Sequence, residues 1–500
     1  MLNRLIMDPK HYKFIILGSG QAAPPLAQAL TAAHGKQSTL IVEKAFIGGT
    51  CINYGCTPTK TMIASGRAAY TYSRREEFGI RKFNSIPRVP DGAVDMAVIK
   101  ERMAKIVKNF RGSSEDKLKI SGVDVQYGEA RFIGPKNIVV TANATGRETE
   151  YTADQIFINT GCRPAESQLP GASKIDPKRL LNSTTIMELT ELPRKLIVVG
   201  AGYVGLEFAQ LFKRLGSDVT IVGRSETILA REDENVSNEL FMMLGREEID
   251  FELGIIMLRL ENDKSLGTPR VSLVYKPTPL GGHKSILATH ILWATGRVPN
   301  TDMLDAAKGG IQLDEKGFIK CDEYLKTTAE GVYVMGDVKG GPAFTHISYD
   351  DFRILKNNIL SPDAPKLSTK NRMVPYTVYT DPQLGHIGVH EHDVRKTYPG
   401  RKIKVAQMPM KWVARAIETD EKRGLMKAIV DGDTEEILGF TCLGIEGGEI
   451  MSMVQIAMMG GLKYSQLRDA TFAHPTLAES LNNLWAHLED LQEYEDSDKE

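Results

Sequence analysis

Two cysteines separated by four residues are the most chemically informative feature of the sequence. They lie in Gly48-Gly-Thr-Cys51-Ile-Asn-Tyr-Gly-Cys56-Thr-Pro-Thr-Lys60, and the segment after Cys51 has the pattern of a helix start. This spacing places the two sulfurs about one helical turn apart, within reach of a disulfide bond. A thiol near a helix N-terminus has a lowered pKa and reacts as a thiolate, and Lys60 adds positive charge. The pattern indicates a redox-active cysteine pair.

Two other uses of a cysteine pair fit the sequence less well. Structural zinc usually takes four ligands with CxxC-like spacing, and no second Cys or His pair is evident, so no metal site is predicted. A structural disulfide framework is disfavoured because the chain has only 5 cysteines in 500 residues. The other three, Cys162, Cys321 and Cys442, occur singly and are predicted to be buried small side chains.

A second candidate catalytic group lies in the C-terminal region, in His474-Pro-Thr-Leu-Ala-Glu479. Pro475 stiffens the chain after the histidine, and the Glu479 carboxylate can orient the imidazole and stabilise its charge. A histidine held in this way can act as the acid–base partner of a thiol. His474 and Glu479 are therefore predicted to serve the cysteine pair.

The first nucleotide-binding pattern is Gly18-Ser-Gly20-Gln-Ala-Ala23, which follows an apolar strand and opens a helix. Gly18 allows the tight turn, Gly20 lets the backbone approach a pyrophosphate, and the small Ala23 permits close helix–strand packing. The helix N-terminus then faces the phosphates. Glu43, at the end of the next strand, is placed to accept hydrogen bonds from ribose hydroxyls.

A second pattern, Gly200-Ala-Gly202-Tyr-Val-Gly205, has the same strand-to-helix context. Here the acid that would bind a free 2′-hydroxyl is replaced by glycine followed by Arg224. An arginine at this position can pair with a 2′-phosphate, assisted by Arg231, which favours NADPH over NADH. The alternative is that Arg224 is an ordinary exposed side chain in a loop.

Three further strand ends suit close approach of the backbone to a nucleotide. Two of them are Thr160-Gly161 and Ala294-Thr-Gly296. The third, Gly331-Val-Tyr-Val-Met-Gly336-Asp337, ends in a carboxylate that can hold a polyol hydroxyl. Each signal is weak when taken alone.

These motifs are distributed over several predicted units. Strand–helix–strand patterns begin near His11 and near Arg194. An antiparallel meander begins near Arg372, and helices are predicted over Ile450–Met459 and Thr476–Leu488. The predicted fold class is α/β, with two Rossmann-like nucleotide-binding domains and a C-terminal α+β domain.

The composition argues against several other classes of protein. A net charge of −1 provides no basic excess for nucleic acid or an anionic membrane. The longest apolar stretch, residues 196–212, contains Glu207 and Gln210 and is typical of a buried strand entering a helix. Met1 to Lys10 has no apolar core, so no signal peptide is expected. We expect a cytoplasmic protein without nucleic-acid or membrane partners.

The motifs as a set resemble those of the pyridine nucleotide-disulfide oxidoreductase family of two-cysteine flavoenzymes. This family includes dihydrolipoyl dehydrogenase, glutathione reductase and mercuric reductase. The resemblance covers essentially the whole chain and rests on five ordered motifs: Gly18–Ala23, Gly49–Lys60, Gly200–Glu207, Gly331–Asp337 and His474–Glu479. Within the family, three segments are most similar to the mercuric reductase branch: Gly-Cys56-Thr-Pro-Thr-Lys60, Gly-Arg224-Ser and Gly340-Gly-Pro-Ala-Phe-Thr.

The resemblance implies FAD and NADPH as cofactors, with NADH possible. Residues 1–185 and 298–370 would bind FAD, residues 186–297 would bind NAD(P)H, and residues 371–500 would form a dimerisation domain with an acidic tail. The implied FAD contacts are Gly18, Gly20, Ala23, Glu43, Gly49, Thr50, Lys60, Ala130, Thr160, Gly161 and Asp337. The implied NADPH contacts are Gly200, Gly202, Tyr203, Gly205, Arg224, Arg231 and Gly296.

The resemblance also implies a role for each catalytic residue. Cys56 would be the charge-transfer thiolate facing the flavin, Cys51 would attack the substrate, and Tyr203 would be a movable gate over the flavin. Lys60 and Glu207 would pair near flavin N5. The histidine and its glutamate would act on the disulfide of the partner chain in a homodimer. The implied catalytic set is Cys51, Cys56, Lys60, Glu207, His474 and Glu479.

The substrate is the least specified part of the prediction. A small-molecule or protein disulfide is expected, with a metal ion possible. Mercuric reductases carry a C-terminal vicinal cysteine pair, and no cysteine follows Cys442, so efficient mercuric ion reduction is not expected. Three alternatives stay open: an NADH-linked dihydrolipoyl dehydrogenase, a Hg(II) or Cu(II) reductase that uses only Cys51 and Cys56, and a flavin-bound regulatory protein.

Overall fold

The computed structural model describes residues 9–80, 94–263 and 270–491. The acidic tail is predicted over the last dozen residues, of which 492–500 lie outside the described residues, while residues 489 and 490 belong to a strand. Residues 1–8, which make up most of the segment for which no signal peptide is expected, also lie outside the described residues.

The described chain contains both helices and strands. The α-helices are α1 (Ala23–His34), α2 (Gly49–Tyr54), α3 (Cys56–Ser73), α4 (Met96–Ser121), α5 (Tyr203–Leu215), α6 (Glu234–Arg246), α7 (Thr345–Leu360), α8 (Glu391–Thr397), α9 (Ala414–Glu418), α10 (Gly447–Met459), α11 (Tyr464–Arg468) and α12 (Ser480–Leu484). None of these helices is long and apolar enough to cross a membrane.

The β-strands are β1 (Lys10–Leu17), β2 (Thr39–Glu43), β3 (Asp124–Gly134), β4 (Asn137–Ala142), β5 (Glu148–Ile158), β6 (Cys162–Pro164), β7 (Leu180–Asn182), β8 (Lys195–Val199), β9 (Asp218–Val222), β10 (Asp250–Glu252), β11 (Ile256–Asp263), β12 (Arg270–Lys276), β13 (Lys284–Ala288), β14 (His290–Trp293), β15 (Arg297–Pro299), β16 (Val332–Val334), β17 (Tyr376–Val378), β18 (Gln383–Gly388), β19 (Ile403–Pro409), β20 (Leu425–Asp431), β21 (Ile437–Gly444) and β22 (Leu488–Asp490).

The first sheet has the strand order β1-β2-β3-β4-β5-β16, and β1 also pairs with β5. β1 runs parallel to β2 and to β5, and β16 runs parallel to β5. The carboxyl ends of parallel strands meet at one edge of a sheet, which is where such sheets bind ligands. Gly18, Glu43, Asn159 and Gly336 therefore lie at the same edge.

The second sheet has the order β10-β9-β8-β14-β7, with all neighbouring strands parallel. Its edge strand β7 lies at Leu180–Asn182, a few residues before residue 186, where the NAD(P)H-binding segment is predicted to begin. Helix α5 follows β8 through the second glycine turn and buries the polar residues Glu207 and Gln210 along with its apolar ones. Strands β11, β12 and β13, which come between β10 and β14 in the sequence, form a separate antiparallel sheet.

The C-terminal sheet has the order β17-β18-β21-β20-β19-β22 and is antiparallel throughout. Residues of α10 and α12 pack against it in one apolar cluster. The predicted fold class, two nucleotide-binding units followed by an α+β domain, is confirmed.

Two local predictions are wrong. The helix predicted over Thr476–Leu488 is α-helical only at Ser480–Leu484; Trp485–His487 forms a 3-10 turn, and Leu488–Asp490 pairs with β19 as an edge strand. Cys321 is exposed, whereas Cys162 and Cys442 are buried as predicted. The backbone of Cys321 forms an isolated bridge to Thr327 at the surface, outside the apolar clusters.

Candidate active site

Cys51 and Cys56 lie on two consecutive helices separated by Gly55. α2 ends at Tyr54, Gly55 adopts φ −133° and ψ −116°, and Cys56 is the first residue of α3. A Cβ at position 55 would lie 3.0 Å from the Thr50 carbonyl oxygen, so glycine keeps this break compact. The break places the Cys56 thiol at the N-terminus of an 18-residue helix, where the helix dipole favours negative charge.

Cys51 and Cys56 are both described as free thiols, so the pKa shifts of the pair are those of the dithiol. The hydrogen bond from Cys51 is the main effect that lowers the pKa of Cys56, to about 6, and Thr345 and Lys60 lower it further against burial and Glu207. The same hydrogen bond and burial raise the pKa of Cys51 far above its ordinary value. Cys51 is therefore the proton donor, and Cys56 is a thiolate at neutral pH.

Thr345 is a neighbour of the dithiol that the sequence reasoning missed. It is the first residue of α7, and its Oγ1 lies 3.4 Å from Cys56 Sγ. A hydroxyl at this distance can donate to the thiolate and lower the pKa of Cys56. The signal that could have identified Thr345 is its position at the end of Gly340-Gly-Pro-Ala-Phe-Thr, directly before a helix.

Lys60 lies about one turn after Cys56 on α3 and forms an ion pair with Glu207 of α5. The Lys60 Nζ to Glu207 Oε2 distance is 2.7 Å. The other oxygen, Oε1, accepts a hydrogen bond of 2.8 Å from the backbone N–H of Tyr379. Lys60 Nζ also lies 4.8 Å from the centre of the Tyr379 ring. The Lys60–Glu207 pair therefore connects α3, α5 and the residue that follows β17 beside the Cys56 thiolate.

The first nucleotide cradle is built by close contact between backbone segments. Gly18 has φ +90°, and a Cβ there would lie 2.5 Å from the Asn159 carbonyl oxygen. A Cβ at Gly49 would lie 2.6 Å from the Gly20 Cα, so the segment leading through Thr50 to Cys51 crosses over the glycine turn. Ala23 is fully buried at the start of α1.

Glu43 is buried at the end of β2, and the glycine turn holds its carboxylate. Oε2 accepts from the Ser19 N–H at 2.9 Å and from the Ser19 hydroxyl at 2.6 Å. Oε1 accepts from the Ala45 N–H at 2.7 Å, which leaves it room for one more donor such as a ribose hydroxyl. Ala130 lies on the neighbouring strand β3, three residues beyond Tyr127, the partner of Glu43.

The residues at this sheet edge fit FAD. Asn159 Nδ2 and Thr160 Oγ1 are buried without a hydrogen-bond partner among the described residues. A buried polar group without a partner costs about 1–3 kcal/mol, and a ligand can remove that cost. Gly161 follows with φ +64°. Burial raises the pKa of Asp337, while Arg297, 3.9 Å away, opposes this. The sequence reasoning did not identify Asn159.

The second cradle repeats this construction on the second sheet. Gly200 has φ +117°, and a Cβ there would lie 2.5 Å from a backbone oxygen just after β14. A Cβ at Gly205 would lie 2.0 Å from the Gly200 carbonyl oxygen, so α5 packs directly on the turn. Gly202 is open on its Cβ side, directly before the N-terminus of α5. Gly296, with φ +146°, follows β14 at the same sheet edge.

Arg224 and Arg231 both lie after β9, on the loop that leads to α6. Both side chains are exposed, and neither forms a hydrogen bond or an ion pair within the described parts of the chain. Guanidinium groups without a protein partner are available to pair with an anionic ligand such as a phosphate.

His474 and Glu479 are brought together. His474 Nδ1 lies 2.9 Å from Glu479 Oε2, with 71% of the imidazole side chain exposed. Within the described chain, His474 is hydrogen-bonded to neither Cys51 nor Cys56. The carboxylate orients the ring through Nδ1, and Nε2 has no hydrogen bond to a described residue.

The structure thus combines a reactive dithiol with two nucleotide cradles, and this combination defines a pyridine nucleotide-linked disulfide reductase. The chain belongs to the pyridine nucleotide-disulphide oxidoreductase family, whose model matches residues 12–351. The model of the dimerisation domain of the same family matches residues 374–485.

Individual relatives cover nearly the whole chain. The probable pyridine nucleotide-disulfide oxidoreductase RclA of Escherichia coli K12 is 32% identical over 95% of this chain and 99% of its own length. A mercuric reductase of Staphylococcus aureus is 30% identical over 94% of this chain and 81% of its length. The solved Cu(II) complex of the HOCl-induced flavoprotein disulfide reductase RclA from E. coli superposes with a TM-score of 0.83, with 32% identity over 96% and 99% of the two chains.

These similarities confirm the predicted family, enzyme class and cofactors. The chain is a flavoprotein disulfide oxidoreductase that uses FAD and NAD(P)H. It is related to both mercuric reductases and dihydrolipoyl dehydrogenases. Its dimerisation domain supports the predicted homodimer.

Proposed function

We propose that the enzyme is NADPH-dependent and that Cys51 passes electrons to a disulfide of another molecule. The observation that carries the proposal is the unequal thiol pair, in which Cys56 has a pKa of about 6 and Cys51 has a raised pKa. FAD, which the first cradle and Asp337 would hold, supplies two-electron exchange between the nicotinamide nucleotide and the dithiol.

The thiol chemistry follows from which sulfur carries the proton. Only a thiolate attacks a disulfide, so Cys51 must lose its proton first. Its sulfur then forms a mixed disulfide with the substrate and expels one substrate thiolate, which takes up a proton. Cys56, already a thiolate, attacks the Cys51 sulfur. This step releases the second substrate thiolate, which also takes up a proton, and leaves a Cys51–Cys56 disulfide, so that two electrons have passed to the substrate.

The proton of Cys51 needs a base, and we assign this role to His474 of the partner subunit. The support is that His474 is exposed, is oriented by Glu479 through Nδ1, and is hydrogen-bonded to neither cysteine of its own chain. The imidazole can take the proton from Cys51 and give it to the leaving substrate thiolate. Each active site would then need both chains of the homodimer.

The preference for NADPH rests on Arg224 and Arg231. Both side chains are exposed and unengaged beside the second cradle, and the carboxylate that would favour NADH is replaced by glycine and arginine at residues 223–224. The proposed compartment is the cytoplasm, since a low cysteine count suits a reducing environment.

A metal ion is the second candidate substrate. The support is the similarity to mercuric reductases and to a flavoprotein disulfide reductase solved with Cu(II). Soft cations prefer thiolate ligands, and Cys56 is a thiolate at neutral pH. Because no cysteine follows Cys442, such an ion would have to be taken by Cys51 and Cys56 alone.

The test is steady-state turnover of NADPH and NADH with a panel of acceptors: lipoamide, glutathione disulfide, a protein disulfide, Hg(II) and Cu(II). We expect a disulfide to be reduced with NADPH, and Cys51→Ser to abolish this. Reduction of ferricyanide, which can bypass the dithiol, should persist in that variant. If only the metal ions are reduced, the second candidate is selected. If none of the acceptors in the panel is reduced, the protein is a regulatory flavoprotein.

The role of the partner subunit has its own test. Chains with Cys51→Ser and chains with His474→Ala should each be inactive as homodimers. Mixed dimers of the two contain one site with both defects and one intact site, so co-expression should restore roughly half of the wild-type activity per mixed dimer. If mixed dimers stay inactive although they form, His474 does not act across the interface.

A further inference from the structure

Tyr203 lies between the second nucleotide cradle and the dithiol. It is the first residue of α5, directly after the glycine turn. Glu207 lies one turn later on the same face of the helix and contacts Lys60, which is one turn after Cys56 on α3. Tyr203 therefore lies at the end of α5 nearest the second cradle, one helical turn from the ion pair beside the Cys56 thiolate.

The Tyr203 hydroxyl is held by a buried carboxylate. It donates to Glu232 Oε1 at 3.0 Å, and the Tyr376 hydroxyl donates to the same oxygen at 2.7 Å. The two tyrosine rings lie 5.6 Å apart. Glu232 is 5% exposed, and it forms no ion pair with Lys or Arg among the described residues. Its main described partners are thus the two hydroxyl groups.

A cation site is the other use that this carboxylate suggests. Glu232, His386 and His390 each offer one ligand atom within 4.8 Å of the others. However, the two imidazole rings are stacked 3.8 Å apart and nearly parallel, so a single ion cannot lie in the plane of both. His386 also donates through Nε2 to the Gly388 carbonyl and accepts at Nδ1 from the Thr441 hydroxyl. The geometry therefore favours the hydroxyl partners over a cation.

We propose that Glu232 is a positioning residue that latches Tyr203 closed in the nucleotide-free enzyme. Tyr376 orients the Glu232 carboxylate, and entry of the nicotinamide ring breaks the bond between Tyr203 and Glu232. This proposal rests on the proposed role of the second cradle as the NADPH site. Glu232 directly follows Arg231, so the latch lies next to the proposed phosphate contact on the same loop.

The latch has a thermodynamic signature. A bond that exists only in the closed, nucleotide-free state reduces the apparent affinity for any ligand that must open it. The penalty is the same for NADP⁺ and NAD⁺, because it belongs to the free protein. Removing the latch should thus tighten both nucleotides by one common factor. Removing a 2′-phosphate contact would instead change the ratio of the two dissociation constants.

The experiment is calorimetric titration of the oxidised, FAD-containing enzyme with NADP⁺ and with NAD⁺. Tyr203→Phe deletes the donor and keeps the ring, and a hydrogen bond to a charged group predicts about ten-fold tighter binding of both nucleotides. Glu232→Gln keeps an acceptor and loses the charge, so a smaller tightening is expected. Tyr12→Phe is the matched control, since Tyr12 also donates to a carboxylate, Asp124 at 2.8 Å, but lies in the first sheet.

Tyr203→Ala separates the possible failures. If Tyr203→Ala changes nucleotide binding and Tyr203→Phe binds as the wild type does, the ring lies on the route but the latch proposal is overturned. If neither variant changes binding of either nucleotide, Tyr203 does not lie on the route and the latch proposal is overturned, whereas the proposed nucleotide site fails only if Arg224→Ala leaves the ratio of the two dissociation constants unchanged. Tightening by Tyr203→Phe that also occurs in Tyr12→Phe would overturn the latch as well.

Discussion

Lys60 Nζ lies 2.7 Å from Glu207 Oε2, and this ion pair stands beside the Cys56 thiolate. The two groups act on the thiolate in opposite directions: Lys60 lowers the pKa of Cys56 and Glu207 raises it. Glu207 is almost fully buried and is further fixed by the Tyr379 N–H. Lys60 therefore supplies positive charge at the thiolate, while Glu207 keeps the lysine in one position.

Variants of this ion pair should shift the pKa of Cys56 in opposite directions. Lys60→Met removes the cation and should raise the pKa, and Glu207→Gln should lower it. The thiolate is present above a pH of about 6 in the wild type and is lost as the pH falls through that value. Site-resolved mass spectrometry of iodoacetamide alkylation in the reduced enzyme measures the midpoint. The exposed Lys320→Met is the control, and shifts of equal sign in the two variants would contradict the assignment.

The Thr345 hydroxyl should contribute to the same pKa. Thr345→Val removes the donor 3.4 Å from Cys56 Sγ, so the alkylation midpoint should move to higher pH. Thr345→Ser keeps a hydroxyl and should keep the midpoint near that of the wild type. With the pKa raised, less thiolate is present at pH 7, and the step in which Cys56 attacks Cys51 should slow by the same fraction. Equal midpoints in the two variants would show that Thr345 does not act through its hydroxyl.

Local sequence spacing was sufficient to predict the site residues whose role is determined within their own segment. Gly18 and Gly200 are needed where a strand turns tightly into a helix, and that need is visible from the strand and helix patterns alone. The Cys51–Cys56 spacing likewise predicts sulfurs near a helix start. The structure adds the break at Gly55, which makes Cys56 the first residue of its own helix.

Partners that come from distant segments could not be predicted from spacing. Thr345 reaches Cys56 because α7 begins at the site, and Asn159 reaches the glycine turn because β5 pairs with β1. Such contacts depend on sheet order, which one sequence does not specify. The C-terminal end of the helix predicted over Thr476–Leu488 was wrong for the same reason, since its periodicity gave no sign that residues 488–490 pair with β19.

Arg224→Ala should raise the KM for NADPH about ten-fold or more and leave the KM for NADH nearly unchanged. The physical reason is the loss of a charge-assisted contact to the 2′-phosphate, worth about 1.5–3 kcal/mol. Steady-state kinetics with both nucleotides and ferricyanide as acceptor measures this without involving the dithiol. Arg246→Ala is the control, since Arg246 is also exposed in the same domain, at the end of α6. A parallel rise in both KM values would contradict the 2′-phosphate assignment.

Arg214 should be important for the stability of the assembled chain. Its side chain is 4% exposed and pairs with Glu247 and Asp381, linking α5 to the segment before β18. Breaking a buried ion pair by removing one partner costs about 3–5 kcal/mol, so Arg214→Met should lower the free energy of unfolding by that order. The adjacent Lys213 pairs with Glu248, which is 85% exposed, and Lys213→Met should cost only about 0–1 kcal/mol. Urea unfolding of the FAD-containing enzyme measures this, with the free energy of the first unfolding transition compared between the two variants. Similar losses in both would mean that the buried network does not hold these segments together.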